Sequence, residues 1–122
     1  MSTQNISTQA LHSGHDTTKT GGTRAVPIYQ TSSYVFNDTE HAANLFSLKE
    51  LGFIYARLNN PTNDILQQRL AAIEGGVGAV VFASGTSAIS TGLLTLLKAG
   101  DHIVASSSLY GGTFTLLNVT LP

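Results

Sequence analysis

The residues best placed for chemistry are Ala83-Ser84-Gly85-Thr86-Ser87-Ala88. An apolar run from Gly78 to Phe82 precedes this turn, and a helical pattern from Thr86 to Leu97 follows it. A strand feeding a helix through small polar residues leaves the first helical N–H groups pointing beyond the strand's carboxyl end. Gly85 has no Cβ to keep a ligand away from the backbone. The helix dipole favours negative charge at the same point. The turn is therefore a candidate phosphate cradle. It lacks the Lys of a Walker A loop and the spaced glycines of a dinucleotide fingerprint, so by itself it also fits a ligand-free connection.

Two further places carry side chains of interest. Arg57 follows Tyr55 in a stretch, Phe53 to Leu58, expected to be extended, which would put both side chains on one face. A guanidinium offers a fixed fork of donors to phosphate, and a phenol adds one O–H. From residue type alone, a solvated surface Arg reads as well. Tyr110 lies in a Ser/Gly loop, Ser106 to Gly112, after a second apolar run. That is where open α/β sheets bind ligands, although a loop Tyr also serves as a simple anchor. The His residues at 12, 15, 41 and 102 show no metal-ligand spacing, so no metal is expected. Asp101-His102 reads as the turn before a strand.

The elements that must position these residues follow from local signals. Residues 1–24 carry no hydrophobic period and read as a tail, or as an arm that orders on a neighbour. Ala25 to Phe36 reads as extended, with Pro27 holding Val26 out of helical space. Asn37 and Glu40 have the spacing of a capping box for a short helix to about Leu51, with Ala42, Leu45 and Phe46 on one face and Gly52 as its stop. Asn60-Pro61 predicts the next helix start, with Leu66, Leu70 and Ile73 as its buried stripe and Gly75-Gly76 as its end. A strand over 78–83 and a helix over 86–97 follow, the latter with Ile89, Leu93 and Leu97 inward. Asp101 to Ala105 reads as a second strand, and Thr113 to about Thr120 as a helix. Strand, helix, strand, helix predicts an α/β fold with a mostly parallel sheet.

Composition narrows the class. Of 122 residues, 42% are hydrophobic, enough for a core, and only 11% are charged, so other protein is expected to cover much of the surface. The net charge of −1 and the absence of any Lys/Arg cluster argue against nucleic acid or an anionic membrane as partner. With no Cys there is no disulfide and no thiolate chemistry. The polar start, Met1 to Gly22, has no apolar core of a signal peptide, and no apolar run is long enough to span a membrane. A cytoplasmic protein is the expectation.

Several stretches, taken in order, resemble the Cys/Met-metabolism family of pyridoxal-phosphate (PLP) enzymes. They are Val26-Pro27-Ile28-Tyr29-Gln30-Thr31-Ser32-Ser33-Tyr34, Tyr55-Ala56-Arg57 with Asn60-Pro61-Thr62, Ile73-Glu74-Gly75-Gly76, the cradle turn, and Leu109-Tyr110-Gly111-Gly112-Thr113. Within the family, the insert Phe46 to Phe53 and the opening Leu11-His12-Ser13-Gly14 look most like the O-acetylhomoserine sulfhydrylase branch.

The resemblance implies a fold-type-I PLP-dependent transferase, of which this chain would supply the N-terminal arm and the first strands and helices of the large domain. Residues 1–60 would be an arm reaching a neighbouring subunit, and 61–122 the start of the PLP-binding domain. Gly85 and Thr86 would bind the PLP phosphate. Tyr55 and Arg57 would reach the phosphate of a neighbouring subunit. Tyr110 would stack on the PLP ring and help move protons at the substrate amine or leaving group. The reaction would be γ-replacement on O-acetylhomoserine by sulfide or a thiol, in a homo-oligomer built as a dimer of dimers. Methionine γ-lyase or cystathionine γ-synthase chemistry is the alternative within the family, and a non-catalytic assembly module the alternative outside it. Family members are much longer, and the chain resembles their first third or less. The Schiff-base Lys and the Asp that pairs with the pyridine nitrogen would lie beyond Pro122. None of Lys19, Lys49 and Lys98 is placed like the catalytic lysine.

Overall fold

Asn60 and Pro61 open a helix, as the sequence predicts. In the computed structural model, which describes residues 5–122, α1 is Ile6–His12, α2 Thr39–Phe46, α3 Pro61–Glu74, α4 Gly85–Leu96 and α5 Gly111–Thr115. The Asn60 Oδ1 accepts the Thr62 N–H at 2.9 Å, and Pro61 sits at N1, where its missing N–H costs nothing. Left-handed Gly75 closes the helix. The chain forms two compact units, one running to Val80 and the other from Val81 to Pro122.

In the first unit the stripe expected on α3 is corrected. Ile65 is its buried residue, while Leu66 and Leu70 are exposed. α1 packs against α3.

The expected tail is corrected as well, for the residues described. Asn5 caps α1 by accepting the Ser7 N–H at 2.9 Å. The Arg69 Nε donates to the Ser13 carbonyl at 3.0 Å. Gly14 has φ +78°, and a Cβ there would stand 2.7 Å from the Ile65 carbonyl oxygen. Only glycine allows this crossing of α3. A 3₁₀ turn, Thr17–Thr20, follows, capped by Asp16. Hydrogen bonds from the Thr18 hydroxyl and N–H hold the Asp16 carboxyl below the ordinary carboxylate range.

The cap of α2 is Asp38, one residue beyond the expected Asn37. Its Oδ1 accepts the His41 N–H at 2.8 Å, while the Asn37 N–H donates to His41 Nδ1 at 3.0 Å. The helix stops at Phe46, well short of Leu51. Gly52 does not stop it. Gly52 packs on buried Leu45, whose Cδ2 would lie 2.8 Å from an added Cβ. Phe46 is exposed at one face and meets the Phe36 ring at 6.0 Å.

One β-bridge occurs among the described residues, antiparallel between Ser33 and Tyr55. The Tyr34 N–H donates to the Ile54 carbonyl at 3.2 Å, and the Ala56 N–H to the Ser32 carbonyl at 2.9 Å. The expected extended stretch Phe53 to Leu58 therefore ends early. The Leu58 and Asn59 N–H groups both return to the Tyr55 carbonyl, at 2.8 and 3.1 Å, and make a turn.

In the second unit α4 begins one residue before the prediction and ends one residue before it, with Leu93 and the capping Leu97 half-buried and Ile89 more open. The last helix begins at Gly111, two residues early. It continues from Leu116 to Thr120 with wider i→i+5 bonding, including Leu121 N–H to Leu116 carbonyl at 3.0 Å. The expected strands 78–83 and 101–105 do not form a ladder among the described residues. Strand structure requires a neighbour in register, and no ladder is formed by either segment among the described residues.

Candidate functional site

The second unit brings three of the sequence-predicted residues to one place. Ser84 caps α4 through its Oγ, which accepts the Ser87 N–H at 3.1 Å and lies 2.9 Å from the Ser87 Oγ. The cap satisfies the third N–H of the helix and leaves those of Gly85 and Thr86 without a protein acceptor among the described residues. Nothing lies within 4 Å of the position a Gly85 Cβ would take, so the approach is open. The structure thus presents two adjacent backbone donors, on a twelve-residue helix, to an incoming anion.

Gly112 joins this helix end to Tyr110. A Cβ on Gly112 would lie 2.9 Å from Tyr110 Cε1 and 3.9 Å from Thr86 Oγ1. The Tyr110 ring therefore rests against Gly112, with the Thr86 hydroxyl on the same side. Tyr110 is 78% exposed, leaving its ring free to meet a planar ligand. Sequence alone places Ser84 in the cradle turn and Gly112 beside Tyr110, but gives neither a role of its own. Ser84 carried a readable signal in its spacing to Ser87, and Gly112 in the glycine pair directly after Tyr110.

The first unit holds the other two residues. The Arg57 guanidinium carbon lies 5.4 Å from the centroid of the Tyr55 ring. The side chains are neighbours as expected, but a turn rather than strand alternation makes them so. Arg57 is exposed, and no described carboxylate pairs with it. A fork of donors with an adjacent phenol is suited to a phosphate.

Among the described residues no group of three or more His, Asp or Glu could hold a metal ion. His41 is occupied locally, by the Asn37 N–H on one ring nitrogen and by Glu50 at 3.7 Å from the other. No described helix is long and apolar enough to cross a membrane.

The chain is 59% identical over 115 residues to an O-acetyl-L-homoserine sulfhydrylase of Leptospira meyeri, covering 94% of this chain and 26% of that one. It is 46% identical to an L-methionine gamma-lyase of Fusobacterium nucleatum, covering 97% of this chain and 30% of the lyase. A crystal structure from Campylobacter jejuni, described as an O-acetylhomoserine (thiol)-lyase with N'-pyridoxyl-lysine-5'-monophosphate, superimposes with a TM-score of 0.91. Its identity is 45%, and the match covers 97% of this chain and 29% of that chain. The chain thus spans between a quarter and a third of the length of these relatives. The sequence profile of Cys/Met metabolism PLP-dependent enzymes matches residues 7–122. The chain has a fold-type-I scaffold and belongs to the Cys/Met-metabolism family of PLP-dependent enzymes, whose cofactor is pyridoxal 5′-phosphate.

Proposed function

We propose that this chain is the N-terminal, phosphate-holding part of an O-acetylhomoserine sulfhydrylase, which makes homocysteine and acetate from O-acetylhomoserine and sulfide by γ-replacement. The observation that carries the site is the convergence at Gly112 of the open α4 N-terminus and the Tyr110 ring. The sulfhydrylase name of a relative 59% identical over nearly the whole chain supports the choice of reaction.

The donor set suits PLP. Two backbone N–H groups and the Thr86 hydroxyl take the phosphate, and an exposed aromatic ring lies beside them for the pyridine. Bound PLP supplies the electron sink for the bond changes at the substrate's β and γ carbons. Gly85 and Thr86 fix its phosphate end. Tyr110 covers the ring and moves a proton at the substrate amine or the leaving group. Tyr55 and Arg57 bind the phosphate held by a neighbouring subunit, which requires a homo-oligomer, a dimer of dimers in this reading. Residues 1–60 are then the arm and 61–122 the start of the large domain of a cytoplasmic enzyme. The Schiff-base Lys comes from the remaining polypeptide, so residues 1–122 alone are inactive.

The complete enzyme given O-acetylhomoserine and sulfide is expected to yield homocysteine and acetate. The likeness to an L-methionine gamma-lyase supports a second reading. Release of methanethiol from methionine, without homocysteine from O-acetylhomoserine, establishes that reading instead.

The same reading has a consequence for the isolated chain. Segments 78–83 and 101–105 form no β-ladder among the described residues, Leu96 is 80% exposed, and Val104 is fully exposed. Large apolar side chains left open to water promote aggregation. Residues 1–122 expressed alone are expected to aggregate or to melt without cooperativity, and to be rescued by the remaining polypeptide. A cooperative denaturant transition from a soluble monomer contradicts this.

A further inference from the structure

We propose that Asn60 and Thr62 are positioning residues that hold the Tyr55–Arg57 contact in place for the cofactor phosphate. The inference rests on the reading that Tyr55 and Arg57 bind that phosphate. Asn60 is 9% exposed and uses both ends of its amide. Its Oδ1 caps α3 through the Thr62 N–H. Its Nδ2 donates to the Tyr29 carbonyl at 2.9 Å and to the Tyr34 hydroxyl oxygen at 3.2 Å. The Thr62 Oγ1 donates to the Pro27 carbonyl and accepts the Tyr29 N–H, both at 3.0 Å. The first turn of α3 therefore clamps the stretch 27–34, more than two dozen residues earlier in the chain.

That stretch in turn positions Tyr55. Ser32 and Tyr34 pair with Ala56 and Ile54 on either side of the Ser33–Tyr55 bridge. The Tyr34 ring also packs on Phe53 at 5.4 Å between centroids. The Tyr55 carbonyl then accepts the two N–H groups that form the turn carrying Arg57, and the turn runs directly back into Asn60. Asn60 thus closes a loop at both ends, once by covalent sequence and once through Tyr34. An exposed Arg on a loop gains phosphate affinity when the loop is held beforehand, because less ordering remains to be done on binding.

The two ends of the Asn60 amide allow the cap and the clamp to be separated. Asn60→Asp keeps an acceptor for the Thr62 N–H and suits the helix dipole. It removes the donor to Tyr29 and Tyr34 and sets a carboxylate against the Tyr29 carbonyl. Thr62→Val removes both Thr62 side-chain bonds with little change of shape, and Thr62→Ser restores them.

The test uses the complete enzyme stripped of cofactor and titrated with PLP and with pyridoxal, which lacks the phosphate. Asn60→Asp and Thr62→Val are each expected to weaken PLP about tenfold, the scale of one or two net hydrogen bonds, and to change pyridoxal by less than about twofold. Thr62→Ser should bind PLP as the wild type does. Unchanged PLP affinity, or an equal loss for PLP and pyridoxal, overturns the proposal. If Asn60→Asp does not fold, Thr62→Val and its Ser rescue decide the matter. Arg57→Ala in the same titration separates the two levels. Unchanged PLP binding there defeats the phosphate reading itself, whereas loss there with normal binding in both clamp variants defeats only the clamp.

Discussion

Tyr110→Phe is expected to keep PLP bound while turnover falls by about 10²–10⁴, the range for loss of a positioned acid–base group. The ring rests against Gly112 and is otherwise open, so phenylalanine can occupy the same place and stack on the same cofactor face. Only the hydroxyl is lost. The PLP absorption band and the cofactor dissociation constant should therefore stay near wild type as kcat drops. Wild-type turnover in this variant would reduce Tyr110 to a packing residue. Loss of PLP in step with loss of activity would show that the hydroxyl binds the cofactor rather than moving a proton.

Arg57→Ala is expected to weaken PLP by roughly 1.5–3 kcal/mol, the range for a hydrogen bond to a charged group, or about 10- to 150-fold. Arg57→Lys should recover part of the loss, because it restores the charge without the planar fork. Equilibrium titration of the cofactor-free enzyme reads both. Unchanged affinity counts against any phosphate role for Arg57. Subunit mixing tests whether the contact crosses between subunits. In a hybrid of one Arg57→Ala and one Tyr110→Phe subunit, action across the interface leaves one site with both residues intact, and activity returns. Action within a subunit leaves every site damaged, so at a PLP concentration that leaves the Arg57→Ala enzyme largely empty the hybrid gains no activity over its parents.

The parts of this site that were legible in the sequence are those set by neighbours in the chain. Asn60, Pro61 and Gly75 mark the ends of α3 because capping and left-handed closure are local events. The α4 turn was legible for the same reason, since Ser84, Gly85 and Thr86 act within one helical turn. The α1 helix is not legible because seven residues show no hydrophobic period, although Asn5 carries a cap signal for it and Asp16 one for the 3₁₀ turn after it. Asn37 was chosen over Asp38 because adjacent polar residues compete for one cap, and the winner depends on which oxygen reaches the His41 N–H.

What no local rule could supply is the pairing of distant segments. The clamp from Asn60 and Thr62 onto residues 27–34 spans separations of 26 to 35 positions. Arg57 meets Tyr55 through a turn whose acceptor is the Tyr55 carbonyl, not through strand alternation. The β-branched runs at 78–83 and 101–105 have strand composition, but composition does not provide a partner. Ile65, rather than Leu66, is the buried residue of α3, and the chain leaving α1 crosses the helix at Ile65 and Arg69, a contact that only the tertiary structure supplies.

The most direct measurement is a crystal structure of the complete enzyme with PLP. It is expected to show phosphate oxygens within hydrogen-bond reach of the Gly85 and Thr86 N–H groups, about 3 Å from each nitrogen, with the cofactor ring against Tyr110. A phosphate bound elsewhere, with the α4 N-terminus facing solvent or protein, would contradict the assignment of this helix end as the cofactor's anchor.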